Sequence, residues 1–176
     1  MIGRQKKRAN PIRPADELPT HPETSYGRRM NFTGEYEPSK WQWVADQVET
    51  YESSGGAEGN TLLDTGIPII VFTTIGAKTG KVRKVPLMRV EHDGEYALVA
   101  SKGGDPKHPG WFYNLLANPT IMMQDGPEPF ETTVREVDGD EYDQWWKRSV
   151  DVYAPYEEYQ AKTTRKIPIF ITSKPT

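Results

Sequence analysis

From Ile67 onwards the chain alternates between short apolar runs and turns rich in glycine, proline or lysine, the rhythm of strands rather than of long helices. Ile69-Ile70-Val71-Phe72-Thr73-Thr74 predicts a buried strand, a Gly/Lys-rich turn follows at 76–81, and Val82 to Glu91 predicts a second strand with Pro86 inside it. His92-Asp93-Gly94 then turns the chain into a third strand over Glu95 to Ser101. Turns this short join antiparallel neighbours. Asp105-Pro106 to Asn118-Pro119 brackets a short helix with Pro109 near its first turn and Trp111, Leu115 and Leu116 as its apolar face. Two more strands are expected at Thr120–Gln124 and Phe130–Val137, then an amphipathic helix from Asp140 to Val152, a short helix starting at Pro155, and a last strand over Ile167–Thr172.

The first sixty residues read differently. Pro11, Pro14, Pro19, Pro22 and Pro38 interrupt a polar stretch without apolar periodicity, so 1–38 is expected to be an irregular basic arm. Ser39-Lys40-Trp41-Gln42 has the form of a capping box, and Trp41, Val44, Val48 and Tyr51 fall on one face of a helix. That helix and a flexible loop through Gly59-Asn60 fill 39–60, and the folded domain takes 61–176. Five or six strands joined mainly by hairpins, with helices between them, predict an α+β fold built on an antiparallel sheet that protects its edges best by closing into a barrel.

Composition narrows the chemistry. Hydrophobic residues make up only 35% of the 176 and the mean hydropathy is −0.74, yet five Trp and nine Tyr are too many for a disordered chain. The absence of cysteine excludes disulfides, thiolate nucleophiles and iron–sulfur clusters, and it fits a reducing cytoplasm. No metal is expected, because His21, His92 and His108 have no partner at ligand spacing. No apolar run approaches the about 18 residues of a membrane span, and the basic N-terminus has no hydrophobic segment behind it. The net charge of −3 argues against nucleic acid as a partner. Residues 1–13 nevertheless hold five basic groups and no acid, which leaves peripheral contact with the inner face of a membrane open. Dinucleotide, zinc-protease and hydrolase signatures are absent, and Gly76-Ala77-Lys78-Thr79-Gly80-Lys81-Val82 is one residue short of a P-loop.

Three stretches can carry chemistry. GAKTGKVRKVPL, residues 76–87, sets Lys78, Lys81, Arg83 and Lys84 around a glycine turn with no acid among them. It is either an anion site or a solvated hairpin tip, and Pro86 marks the following strand as an edge or a bulge. ASKGGDPKHPGW, residues 100–111, runs from a strand end through Gly103-Gly104 into a helix start, where glycines serve ligand approach or a tight connection equally well. Tyr153, Tyr156 and Tyr159 form a stripe that is either a pocket wall with phenol hydroxyls or ordinary core.

Taken in order, GAKTGKVRKVPL, VASKGGDPKHPGWFYNLLANP and YAPYEEYQAKTTRKIPI resemble the deazaflavin-dependent nitroreductase family of actinobacteria over roughly 65 to 172. The resemblance implies a split β-barrel related to the flavin-mononucleotide-binding oxidoreductases. It also implies coenzyme F-420, a 5-deazaflavin with a phosphate and a polyglutamate tail, as cofactor. By the family pattern Lys78, Arg83, Pro86 and Leu87 would contact the tail and ring. Ala100, Ser101, Lys102, Gly103 and Trp111 would line the phosphate and deazaflavin pocket. Lys81, Lys107 and Asn114 complete the cofactor set, while Tyr153, Tyr156, Tyr159 and Met88 would border the substrate. The chain departs from the pattern at Ala77 and Gly110, where relatives carry a basic residue and a bulkier one. The implied activity is hydride transfer from reduced F-420 to an electron-poor acceptor such as a quinone, an activated enone or a nitro compound, with Tyr153, Tyr156 or Ser101 serving the acceptor oxygen. A non-catalytic deazaflavin, flavin or haem carrier is the alternative, and the sequence leaves monomer or homodimer open.

Overall fold

A computed structural model describes residues 32–175. Eight strands form two four-stranded antiparallel sheets. The first is ordered β2 (Val82–Met88), β1 (Ile69–Ile75), β5 (Thr120–Gln124), β6 (Pro129–Thr133). The second is ordered β3 (Val90–His92), β4 (Glu95–Val99), β8 (Ile169–Ser173), β7 (Arg135–Glu136). Four helices accompany them: α1 (Gln42–Ser53), α2 (Gly110–Ala117), α3 (Gly139–Val152) and α4 (Pro155–Ala161). This is the expected α+β class, with antiparallel pairing between all eight strands.

The alternation of side chains along each strand builds three apolar layers. Ile70 and Phe72 from β1, Leu98 from β4 and Phe170 from β8 meet between the sheets, together with Phe112 and Leu115 of α2. On the other face of β1, Ile69 and Val71 pack under Val48 and Tyr51 of α1. On the other face of the second sheet, Ala97, Val99, Ile169 and Ile171 lie against Trp145 of α3 and Tyr156 of α4. Both faces of β1 are therefore covered, which is why its sequence is a continuous apolar run instead of an alternating one.

Two strands expected to be continuous are divided. The 82–91 segment breaks at Arg89, where β2 leaves its partner β1 and the chain passes to the second sheet as β3, paired with β4. Asp125 holds that corner, accepting from Arg89 Nε at 2.9 Å and from the Tyr96 hydroxyl at 2.8 Å. The 130–137 segment breaks in the same way at the buried Val134, between β6 on β5 and β7 on β8. Both sheet edges are thus joined through bent strands.

Other expectations are corrected at element ends. Trp41 is 71% exposed and is the N-cap of α1, so it does not share the buried face of Val48 and Tyr51. The capping box does not form, because the Ser39 hydroxyl accepts from the Trp41 N–H, two residues on, at 3.2 Å. In α2 the core face is made by Trp111, Phe112 and Leu115, and Leu116, expected on it, lies at its margin and is 55% exposed. The loop after α1 is tied down by Gln47, whose amide donates to Gly59 O and Thr61 O. Most of the expected 1–38 arm lies outside the described residues. Its last part pairs with the free edge of β2: Val82 N–H donates to Glu35 O at 2.9 Å and Glu37 N–H to Val82 O at 3.0 Å. Pro86, opposite Val71, sits on that edge strand as its missing N–H requires.

Candidate active site

The β1–β2 turn, the outer half of β2, the N-terminal half of α2 and the strap entering α1 enclose a cleft of about 860 Å³. The turn contributes Gly76, Ala77, Lys78 and Thr79, and β2 contributes Arg83, Lys84 and Val85. Gly110, Trp111, Tyr113 and Asn114 come from α2, and Glu37, Ser39, Lys40 and Trp41 from the strap. Asn114 fixes the turn against the helix by accepting from the Ala77 N–H at 2.9 Å. Trp111 closes the inner wall, its ring meeting Phe72 edge-on at 5.4 Å.

Lys40, Lys78, Arg83 and Lys84 oppose the single carboxylate of Glu37 in this lining. Arg83 pairs with Glu37 and Lys84 with Glu52, whereas Lys40 and Lys78 make no ion pair among the described residues. The cleft therefore presents net positive charge beside glycine-bounded backbone and an indole face. That donor set suits a large ligand with an aromatic ring and several anionic groups.

The predicted cofactor residues divide by position. Lys78, Arg83, Trp111 and Asn114 line the cleft. Lys81 faces Glu35 at 3.2 Å, and Leu87 packs toward the inter-sheet core. Ala100 and Ser101 are buried at the end of β4, followed by exposed Lys102 and Gly103. Lys102 pairs with Asp105 at 3.5 Å, and the Lys107 side chain is exposed. Three successive residues of this loop, Lys102, Gly103 and Gly104, have positive φ.

The predicted substrate residues come together in the layer on the outer face of the second sheet. Tyr153, Tyr156, Tyr159 and Met88 share one apolar cluster there. Tyr153 caps the end of α3 and Pro155 opens α4, yet the Tyr153 ring still meets Tyr156 at 5.1 Å and its hydroxyl bonds that of Tyr159 at 3.0 Å. That bond and partial burial push the Tyr153 phenol up to about 12, so it is a neutral donor at any physiological pH. Tyr156 is 1% exposed, and burial raises its phenol further.

Several residues at or behind the site escaped the sequence reading, four of them notable. Glu37 and Lys40 lie in a strap with no periodicity to mark them, and Tyr113 sits beside Trp111 on the exposed side of α2. The fourth, Arg165, reaches the carbonyls of Ala100, Ser101 and Asp105 from the loop after α4. A lone arginine in a loop carries no spacing signal.

Two antiparallel sheets joined through bent edge strands, with a basic, aromatic-walled cleft beside one edge, define an α+β protein equipped to hold a large anionic ring ligand. The family model for the F420H(2)-dependent quinone reductases matches residues 43–174, and the chain belongs to this family. An F420H(2)-dependent quinone reductase of Mycobacterium tuberculosis is 34% identical over 127 residues, covering 70% of this chain and 85% of that protein. A solved F420-H2 dependent reductase, FDR-A, is 59% identical with a TM-score of 0.57, over 60% of this chain and 94% of that one. A second solved structure, described as a domain-swapped dimer, is 53% identical with a TM-score of 0.59, over 77% of this chain and all of that one. Among the described residues no helix is long and apolar enough to cross a membrane.

Proposed function

We propose that this chain is a cytoplasmic reductase that uses reduced coenzyme F-420 to reduce quinones, and by the same chemistry activated enones or nitro compounds. The observation that carries this reading is the cleft, in which Lys78, Arg83 and Lys84 of the 76–87 motif, joined by Lys40 from the strap, face the one carboxylate of Glu37. The phosphate and carboxylates of F-420 require such cations, and its ring requires a wall like Trp111. Lys78, Arg83 and Asn114 would hold the tail side, and Trp111, Ala100 and Ser101 the ring side. When bound, the reduced deazaflavin supplies a hydride.

The protein then has to exclude water, orient the acceptor and manage one proton. A quinone that gains a hydride at its conjugated ring carries negative charge on oxygen, and one proton completes its reduction to the hydroquinone. Tyr153 and Ser101 are the donors we assign to that oxygen. Tyr153 is the more accessible of the two, half-buried with its hydroxyl bonded to that of Tyr159, whereas Ser101 is buried. Tyr156, enclosed in the core, supports the Tyr153 ring from behind.

The 53% identical domain-swapped dimer supports a homodimeric form, which light scattering of the purified chain tests. The exposed Trp41 and Trp43 and the basic start support peripheral membrane contact, which cosedimentation with anionic vesicles tests. The function itself is tested by titrating the protein with F-420, flavin mononucleotide and NADPH and then adding menadione. Selective F-420 binding with menadione-dependent oxidation is expected. Binding without turnover on any of the three acceptor classes would favour a carrier, and no F-420 binding would refute the reading.

A further inference from the structure

Arg165 uses all three guanidinium nitrogens on a single loop. Nε donates to Asp105 O at 2.8 Å, one terminal nitrogen donates to Ala100 O at 3.1 Å, and the other donates to Ser101 O at 2.7 Å. The nitrogen on Ala100 also lies 3.3 Å from His108 Nδ1. No carboxylate pairs with it among the described residues, which is unusual for a half-buried cation. A planar fork with five N–H groups can satisfy several carbonyls at once, and an ammonium cannot.

The loop held this way needs holding. Lys102 has φ +46°, Gly103 +64° and Gly104 +81°, and a left-handed lysine alone costs about 1 kcal/mol. The loop is also pressed on α4, because a Cβ at Gly104 would stand 2.5 Å from Tyr159 O. Arg165 is itself fixed from α4. The Gln160 amide donates to Arg165 O at 2.8 Å, and the Gln160 carbonyl oxygen accepts from Ile167 N–H at 2.9 Å. One side chain thus ties the loop bearing Ala100 and Ser101 to the helix bearing Tyr156 and Tyr159.

We infer that Arg165 is a positioning residue for cofactor binding, holding the Ala100–Asp105 loop in the conformation that receives F-420 and in register with the tyrosine helix. This rests on the function proposed above. Loss of the fork lets the loop relax and weakens the cofactor, while Tyr153, the more accessible of the two acceptor donors, lies outside the loop and stays bonded to Tyr159.

The test compares Arg165→Met and Arg165→Lys with the unsubstituted chain in three measurements: F-420 affinity by fluorescence titration, KM for F-420 against KM for menadione, and amide hydrogen exchange of 100–105 without ligand. Arg165→Met removes all three hydrogen bonds of the fork to the loop carbonyls and is expected to weaken F-420 about tenfold, since the cofactor feels their loss only through the relaxed loop. KM for menadione should move less than twofold, and exchange in the loop should rise. Arg165→Lys should recover little of this, and if Arg165→Met fails to fold, the lysine variant carries the comparison. Affinity within twofold in both variants, a parallel rise in both KM values, or unchanged exchange in the loop overturns the inference. If the unsubstituted chain does not bind F-420, the functional reading fails by itself, and the exchange measurement still decides whether Arg165 orders the loop.

Discussion

Replacing Gly104 with alanine separates two costs that the structure assigns to neighbouring glycines. Gly103 and Gly104 both have left-handed φ, +64° and +81°, but a Cβ on Gly103 meets nothing within 4 Å. On Gly104 it would stand 2.5 Å from Tyr159 O and 3.0 Å from Tyr159 Cα. The obstructing atoms are helix backbone and cannot rotate away. The conformational penalty is about 1–2 kcal/mol, offset in part by the reduced freedom of the unfolded alanine chain, so Gly103→Ala should cost about 1 kcal/mol. Gly104→Ala adds an overpacking cost of about 1–3 kcal/mol, for a total of about 2–4 kcal/mol. At about 2–4 °C per kcal/mol for a domain of this size, Tm should fall by roughly 5–15 °C in Gly104→Ala and by about 2–4 °C in Gly103→Ala. Scanning calorimetry of both variants beside the parent reads this difference. Equal melting temperatures for the two variants would refute the close approach of the loop to α4, and with it the docking on which the role of Arg165 depends.

Two further predictions concern charge. Lys78 lines the cleft without an ion pair among the described residues, whereas Lys81 is turned to Glu35. Lys78→Ala should therefore weaken F-420 by roughly 3- to 10-fold at low salt, more than Lys81→Ala, with the gap closing as salt screens the cleft. Fluorescence titrations at two ionic strengths test this, and the opposite ranking would contradict the assigned cleft. The phenols of Tyr96, Tyr142 and Tyr153 are each held up to about 12 in the folded chain, against about 10 unfolded. The folded state then keeps protons that the unfolded state loses, so stability is complete below about pH 10 and declines as pH rises through 12. Urea midpoints should be level from pH 8 to 9 and drop above 10; a midpoint that holds at pH 11 would show these phenols to be more solvated than the structure has them.

Runs and turns along the chain determined the elements. The continuous Ile69–Thr74 run, the glycine turn at 76–81, Pro155 at the start of α4 and Pro86 on an edge strand are each settled by interactions within a few residues, so they are written in local spacing. The motif residues likewise announced a basic turn and a glycine loop, and Lys78, Arg83, Trp111 and Asn114 do line one cleft. Only the tertiary structure decided where Val82–Glu91 and Phe130–Val137 break, because each break marks a change of pairing partner and not a change of propensity. It also decided that Trp41 faces out, that Glu37 stands on Arg83, and that the tyrosines pack outside the second sheet. The contacts concerned join residues far apart in the chain: Glu37 with Arg83, Ala77 with Asn114, and Arg165 with Ala100, Ser101 and Asp105. A guanidinium that donates to main-chain carbonyls recognises a backbone path and no particular side chain. No residue pattern along the sequence records such an interaction, which exists only once the sheets have brought that path within its reach.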